Sequence, residues 1–208
     1  MIYIFTGIGQ LPDDFLETCS FFLPRWRIDR MMNYRNHSDR LLCAMGYLML
    51  VYGLKKENLF HSLPEFGYHT SGKPFLTNYQ GVYFNLSHCR NTVVCMISCQ
   101  EVGVDVETIE EYDDDLARVI CNEFEYQWVT AAENSELKAR KLTEIWTRKE
   151  SLVKYLGTGL NEDIRAMNVW NSQKNGSGNY YISSRYIIET DCYLSVCSNI
   201  NLQKTDFL

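Results

Sequence analysis

The stretch GVDVE, residues 103–107, alternates valines with acids. A period of two is typical of a β-strand, on which Val104 and Val106 point to one face. Asp105 and Glu107 then share the other face, about 7 Å apart, where two carboxylates repel by about 2 kcal/mol at an effective dielectric of ~20 and by about 0.6 kcal/mol in water. Two interpretations stay open. Either both acids face water, or they share a cation in a cleft, and oxygen ligands at this spacing suit Mg²⁺.

The composition is typical of a globular chain. Its 208 residues suit one domain or two small ones and are ample for a packed core. Hydrophobic residues make up 46% of them, as in globular proteins. The formal net charge of −6 argues against nucleic acid as the main partner. The most apolar run, residues 41–54, is too short to cross a bilayer, so no membrane association is expected. The N-terminus MIYIFTG has neither a basic region nor a cleavage-site pattern, so we expect no signal peptide and a cytoplasmic protein.

The cysteines predict neither a zinc site nor a disulfide framework. No C-x-x-C pair occurs, and most of the eight cysteines lie within apolar runs. Buried, reduced thiols are therefore expected. The positions are Cys19, Cys43, Cys89, Cys95, Cys99, Cys121, Cys192 and Cys197.

Hydrophobic periodicity predicts an α+β chain. Strands are predicted at 2–6, near 82–86 and 92–99, over GVDVE, and at 180–183, 185–190 and 192–198. Helices are predicted over 13–23, 39–52, 114–132 and 136–156. Ser38 is the expected cap of the second helix and Gly53 its end, and Gly157 ends the last one. The apolar strands TVVCMIS (92–98) and CYLSVCS (192–198) are similar, which fits either two related halves or chance.

A second informative stretch is WTRKESLVKYLGTGL, residues 146–160. Glu150 and Lys154 lie one turn apart on one face of the predicted helix. One interpretation is an exposed ion pair that stabilises by a few tenths of a kcal/mol. The other is an acid for a metal and a lysine for phosphate oxygens, with Lys149 as a second cation. Trp146 is expected in the core.

Two shorter stretches carry groups that can contact phosphate. GKPFL (72–76) is a predicted turn with Lys73, and FNLSH (84–88) ends a predicted strand with Ser87 and His88. Taken singly, Ser87 is more often a turn former, His88 is more often a surface or edge residue, and a lone Lys73 is usually solvated. Five arginines also fall within residues 25–40, which makes a local positive patch in an acidic protein.

The order and spacing of GKP, FNLSH, GVDVE and WTRKESLVKYLGTGL resemble those of the Sfp-type 4′-phosphopantetheinyl transferase family. The resemblance covers residues 72–160, and CNEFEY (121–126) is similar to the segment that precedes the family's W-x-x-K-E helix. Residues 1–71 match loosely, and residues 161–208 match in strand character alone.

The resemblance implies two similar α+β halves, 1–102 and 103–208, related by a pseudo-twofold axis, with the active site between them. It implies a monomeric enzyme that transfers the 4′-phosphopantetheine arm of coenzyme A to a serine of an apo acyl, polyketide or peptidyl carrier protein. The reaction releases 3′,5′-ADP and needs Mg²⁺. The alternatives are a non-catalytic module that binds coenzyme A or a carrier protein, and a chance likeness of motifs.

The resemblance also implies the chemical roles of four side chains. Asp105, Glu107 and Glu150 would hold Mg²⁺ against the pyrophosphate. Glu150 would also help to take the proton from the attacking serine, and Lys154 would stabilise charge on the phosphate groups. Such a site works by positioning and charge neutralisation.

Two further groups are implied to contact the phosphates of coenzyme A. The first comprises Lys73, Ser87 and His88. The second lies ahead of the first long helix, and its candidates are Arg30, Arg35 and Arg40. For these arginines a solvated basic face is the competing interpretation.

Overall fold

The computed structural model describes residues 1–159, 163–170, 173–175 and 178–200 of the chain. Its strands are β1 Ile2–Phe5, β2 Phe66–Tyr68, β3 Pro74–Leu76, β4 Tyr83–Cys89, β5 Thr92–Ser98, β6 Val102–Thr108, β7 Gln173–Asn175, β8 Gly178–Ile187 and β9 Cys192–Ser198. Its helices are α1 Phe15–Ser20, α2 Arg25–Met32, α3 His37–Lys56, α4 Asp114–Ile120, α5 Glu123–Thr130 and α6 Ser135–Leu156. The predicted α+β class is confirmed.

The strands form two main antiparallel sheets. The first has the order β1-β5-β4, and the second has the order β6-β9-β8-β7. Strands β2 and β3 pair with each other as a separate two-stranded sheet. Because the first sheet draws only on residues before 99 and the second only on residues after 101, each part of the chain builds its own sheet. The predicted division at 102/103 and the pseudo-twofold axis stay predictions.

The core is layered because the strands alternate their side chains between two faces. On β5, Val93 packs against α3, whereas Val94 packs between the two sheets. Val104 and Val106 of β6 enter the same inter-sheet layer. Asp105 is thereby turned to the other face of the second sheet, where α6 packs. The predicted alternation of GVDVE is confirmed, with its valines in the core and its acids on the other face.

Helix α3 is longer than its sequence pattern predicted. Its N-cap is Asn36, so Ser38 lies inside the first turn. The helix also continues past Gly53 to Lys56, and Gly53 is buried in the interior of the helix. A Cβ at Gly53 would lie 2.6 Å from Ile97 Cδ1, so this glycine lets the helix pack closely on the first sheet rather than ending it.

Two other segments also differ from the prediction. The predicted helix over 114–132 is two helices, because Asn122 starts α5 with a capping box to Glu125. The predicted strands at 180–183 and 185–190 are one strand, β8, followed by a 3₁₀ turn over Ile188–Thr190. The predicted 136–156 helix is confirmed as α6, and Gly157 ends it in the left-handed conformation with φ of 68°. Leu160, the last residue of its motif, and residues 201–208 lie outside the described residues.

The helices also bear on the question of a membrane span. In the described ranges, none of them combines the length and the apolar character that crossing a bilayer requires.

Helix α6 lies directly on β6 at Gly103. A Cβ at this residue would lie 2.0 Å from the carbonyl oxygen of Ser151 and 2.4 Å from the amide nitrogen of Tyr155. Both are backbone atoms of α6, so neither can rotate away. This contact fixes the distance between the strand that carries Asp105 and the helix that carries Glu150.

Replacing Gly103 by alanine is expected to lower the free energy of unfolding by about 3 kcal/mol, because overpacking against backbone forces the helix to move. Urea denaturation measures the loss. Gly46→Ala in α3 is the matched control, since its Cβ would meet atoms no closer than 3.7 Å and alanine favours helix. Equal stability of the two variants would contradict the close approach of α6.

Candidate active site

Asp105, Lys154 and Ser87 form a connected polar cluster where β4, β6 and α6 meet. Lys154 Nζ lies 2.6 Å from Asp105 Oδ1 and 3.0 Å from Ser87 Oγ. The Ser87 hydroxyl donates a hydrogen bond to the same Asp105 oxygen at 2.8 Å. The structure thus brings together three of the predicted site residues from three separate motifs.

Ser87 also connects the two sheets. Its hydroxyl oxygen accepts a hydrogen bond from the Val106 amide at 3.3 Å, and Asn85 Oδ1 accepts one from the Val104 amide at 2.8 Å. These side chains of β4 satisfy amides on the side of β6 that does not pair with β9. The role of Asn85 was missed from the sequence, where FNLSH was considered only for its serine and histidine.

Two buried carboxylate oxygens of the site have no hydrogen-bond partner among the described residues: Asp105 Oδ2 and Glu150 Oε1. Asp105 is 2% exposed and Glu150 is 9% exposed. Burial, and then the negative charge of Asp105, raise the pKa of Glu150 above its ordinary value. A buried oxygen without a partner is costly, so these two atoms indicate an incomplete site.

Glu107 is half-buried at the rim of the same cluster. Burial is the main cause that raises its pKa to about 7, and the neighbouring Asp105 adds to the rise. A hydrogen bond from Trp146 acts in the opposite direction. Glu107 and Trp146 also line a cavity of about 290 Å³, with apolar walls that include Ile120 and Leu142. Trp146, expected in the core, is half-buried and packs against it.

The carboxylates fit a hard divalent cation by the chemistry of their donors. Within the described ranges, no three His, Cys, Asp or Glu side chains are already gathered as a metal cluster. Lys154 neutralises Asp105 Oδ1 instead, while Asp105 Oδ2 and Glu150 Oε1 stay without partners. Mg²⁺ prefers one or two carboxylates together with phosphate oxygens and water, and this arrangement suits that preference.

His88 and Lys73 lie near this cluster in different ways. Although His88 is exposed, the protein around its ring lowers its pKa, and the Lys154 charge lowers it further. Lys73 is engaged already: its Nζ donates to Glu101 Oε2 at 2.6 Å and to the Tyr155 carbonyl oxygen at 3.3 Å. A phosphate could therefore recruit Lys73 only in competition with these partners.

The arginine cluster divides into surface and core members. Arg30 and Arg35 are exposed and Arg40 is half-buried. Arg30 donates to the Tyr68 hydroxyl at 2.5 Å, and Arg40 donates to the Tyr34 carbonyl at 2.9 Å. The structure does not bring these three into the hydrogen-bonded cluster of Asp105.

Arg27, from the same cluster, is buried at 6% exposure. It donates two hydrogen bonds to the Cys43 carbonyl oxygen, at 3.2 and 2.6 Å, and lies against the ring of Trp26. Arg27 therefore serves the packing of α2 on α3, and it is not part of an open basic face.

Lys149 is likewise a core residue, so its expected role as a second phosphate cation is wrong. Its ammonium group is fully buried and lies 2.6 Å from Glu125 Oε2. It also donates to the carbonyl oxygens of Ile120 and Ile164, at 2.8 and 2.9 Å. Lys149 thus joins α6 to the CNEFEY segment through Glu125.

The raised pKa of Glu107 gives a testable pH dependence. Between pH 4.5 and about 7, the folded chain holds a proton that the unfolded chain has lost. The contribution of this proton to the free energy of unfolding is complete below pH 4.5, and it is lost as the pH rises to about 7. Glu107→Gln removes this dependence, so the variant should be more stable than the parent at pH 8, by about 1–2 kcal/mol after allowance for partial exposure.

Urea denaturation in EDTA at pH 5 and pH 8 checks the prediction for Glu107. The difference between variant and parent should shrink toward pH 5. Stability curves that stay parallel across this range would contradict it.

Comparison with known proteins finds similarity to one family of transferases. Residues 101–201 match the family model described as the 4′-phosphopantetheinyl transferase superfamily. The predicted resemblance of this chain to the Sfp-type 4′-phosphopantetheinyl transferases is confirmed.

Three curated relatives illustrate the similarity. The 4′-phosphopantetheinyl transferase gsp of Aneurinibacillus migulanus is 37% identical over 128 residues, 61% of this chain and 50% of that protein. The L-aminoadipate-semialdehyde dehydrogenase-phosphopantetheinyl transferase of Candida glabrata is 26% identical over 67% of this chain and 57% of its own length. The 4′-phosphopantetheinyl transferase Sfp of Bacillus subtilis is 27% identical over 57% of this chain and 50% of its own length.

The chain spans about half the length of the curated relatives it matches. Among solved structures, the holo-[acyl-carrier-protein] synthase of Thermotoga maritima gives a TM-score of 0.36 at 17% identity, over 47% of this chain and 61% of that chain.

Proposed function

We propose that this chain transfers the 4′-phosphopantetheine arm of coenzyme A to a serine hydroxyl of an apo carrier protein and releases 3′,5′-ADP. The observation that carries the proposal is the meeting of Asp105, Glu150 and Lys154, in which two buried carboxylate oxygens lack partners. The match of residues 101–201 to the superfamily model and the names of the curated relatives support the same reaction.

Asp105, Glu107 and Glu150 are the residues that would hold Mg²⁺. When bound, the ion neutralises charge on the pyrophosphate of coenzyme A. The ligands are positioned by regular structure, since β6 presents Asp105 and Glu107 and α6 presents Glu150. Strands and helices hold such groups more precisely than loops.

Glu150 is also proposed to take the proton of the attacking serine. A serine hydroxyl is a weak nucleophile unless a base accepts its proton. Burial raises the pKa of Glu150, which makes its carboxylate a stronger base than an ordinary glutamate.

Lys154 is proposed to leave Asp105 and donate to a phosphate oxygen of the substrate. Its ammonium group lies 2.6 Å from Asp105 and its side chain is 28% exposed, so it can reach a ligand at the mouth of the site. Ser87, His88 and Lys73 are proposed as further phosphate contacts. Arg30, Arg35 and Arg40 are proposed for the nucleotide phosphates because they supply accessible positive charge in an acidic chain.

The proposal also covers the localisation, the oligomeric state and the internal symmetry of the enzyme. We propose a cytoplasmic monomer whose halves, 1–102 and 103–208, are related by a pseudo-twofold axis and share the site between them. Ser87 from the first half and Asp105 and Lys154 from the second already meet in one hydrogen-bonded cluster, which supports this view. Nucleic acid and membranes are not proposed as partners.

Intact-protein mass spectrometry tests the proposed reaction. The chain is incubated with coenzyme A, Mg²⁺ and a panel of apo acyl and peptidyl carrier proteins, with and without EDTA. A phosphopantetheine mass gain on a carrier that disappears with EDTA is expected. Binding of coenzyme A without any gain would favour the non-catalytic module, and no binding at all would overturn both.

A further inference from the structure

Two cysteines from distant parts of the chain meet at one end of the inter-sheet core. Cys89 is the last residue of β4 and Cys192 is the first residue of β9, 103 positions later. Their Sγ atoms lie 3.2 Å apart. Both residues are buried, with Cys192 at 1% exposure and Cys89 at 8%, so Cys89 lies nearer to solvent.

The surroundings hold the Cys192 sulfur in place. Its thiol lies 3.2 Å from the carbonyl oxygen of Thr190, and the hydroxyl oxygens of Thr92 and Thr108 lie 3.8 Å from the sulfur. Thr92 in turn donates to the Thr190 hydroxyl at 2.8 Å. The sulfur is therefore fixed by groups from β5, β6 and the turn before β9, and it points at Cys89.

The two thiols also differ in acidity. The hydrogen bond between the two sulfurs is the main cause that lowers the pKa of Cys192 to about 6, whereas that same contact and burial raise the pKa of Cys89. A thiolate beside a thiol is the arrangement needed for thiol oxidation, because the thiolate is the nucleophile. By contrast, burial raises the pKa of Cys95, which is fully buried in the first sheet.

We propose that Cys89 and Cys192 form a reversible disulfide when a small peroxide oxidises them, so that the two sheets become covalently joined. Two thiols and one hydrogen peroxide give one disulfide and two waters. The Cys192 thiolate attacks a peroxide oxygen, the O–O bond breaks, and the departing hydroxide takes up the proton that the Cys192 thiol had released, which gives the first water. The Cys89 sulfur then attacks the Cys192 sulfenic sulfur, the S–O bond breaks, and the second water carries away the Cys89 proton. Two electrons pass from the sulfurs to the peroxide oxygens.

The position of this bond links it to the candidate site. Cys89 follows Ser87 and His88 directly on β4, and Cys192 is the register partner of Thr108, next to Glu107. The disulfide would therefore fix the spacing of β4 against the second sheet. It would also close a long loop in the unfolded chain, which raises the melting temperature by about 10 °C for a protein of this size.

Thiol counting on the full chain tests the disulfide directly and does not depend on the proposed transferase reaction. The protein is treated with hydrogen peroxide, denatured, and alkylated with N-ethylmaleimide. The reduced chain should take eight maleimides, one for each cysteine, and the oxidised chain should take six. Peptide mapping should find Cys89 joined to Cys192, and dithiothreitol should restore eight.

Matched variants identify the pair. Cys89→Ala and Cys192→Ala should each abolish the loss of two maleimides and the rise in melting temperature. Cys99→Ala should keep both, because Cys99 is exposed and has no place in the pair. If the variants fail to fold, the wild-type peptide map alone decides. Eight maleimides after oxidation, a different pairing, or sulfinic acid at Cys89 or Cys192 in place of a cross-link would overturn the proposal.

Discussion

Glu150→Gln is expected to lower the rate of carrier-protein modification by about 10²- to 10⁴-fold. The amide keeps the shape of the side chain but accepts no proton and is a poor metal ligand. The carboxylate it replaces is 9% exposed and has one oxygen, Oε1, without a hydrogen-bond partner among the described residues. Loss of this carboxylate should therefore slow the reaction, while the packing of α6 is unchanged. The measurement is kcat/KM for the phosphopantetheine mass gain at saturating Mg²⁺.

Glu144→Gln is the control for this variant because it makes the same change on the same helix. Burial likewise raises the pKa of Glu144, but its neighbour is Arg148, at 3.6 Å, and it lies outside the polar cluster of Asp105. Its kcat/KM should stay within about threefold of the parent value, since ΔΔG below ~0.7 kcal/mol gives no more than this. Equal rates for the Glu150 and Glu144 variants would contradict the role of Glu150.

The faces on which site residues lie within one strand or one helix could be predicted from the sequence, because they depend only on the repeat of that element. Alternation along GVDVE sets the face of Asp105 whatever surrounds the strand. Spacing along α6 likewise places Glu150 and Lys154 on one face. The structure brings Asp105 and Lys154 to 2.6 Å, an approach between a strand and a helix that only the family resemblance implied.

The features that the sequence did not reveal all depend on contacts between distant segments. Gly103 looks like the start of a strand, and only the approach of α6 shows why a side chain would not fit there. Lys149 and Arg27 look like surface cations, since charged residues are rarely buried. Their burial depends on partners supplied from elsewhere in the chain, Glu125 and the Cys43 carbonyl. No local sequence pattern predicts such a pairing.

Lys149→Met is expected to lower the free energy of unfolding by about 3–5 kcal/mol, because it leaves the buried Glu125 carboxylate without its counter-charge. Both side chains are fully buried, with Lys149 Nζ and Glu125 Oε2 at 2.6 Å. The variant also deprives the Ile120 and Ile164 carbonyl oxygens of their donor. Urea denaturation at pH 7 measures the loss.

The cause of this loss is tested by a second substitution and an exposed pair. Adding Glu125→Gln to Lys149→Met should recover at least about 1 kcal/mol, because a neutral amide costs less to bury than an unpaired carboxylate. The amide can still accept the Asn122 amide hydrogen that Glu125 Oε2 accepts at 2.9 Å, so the start of α5 keeps its cap. Arg25→Ala breaks a pair with Asp29 of similar length, 3.0 Å, but at 86% and 57% side-chain exposure. Water screens that pair, so its loss should cost no more than about 0.5 kcal/mol. A double variant less stable than Lys149→Met alone would show that packing volume, and not the buried charge, sets the cost at this position.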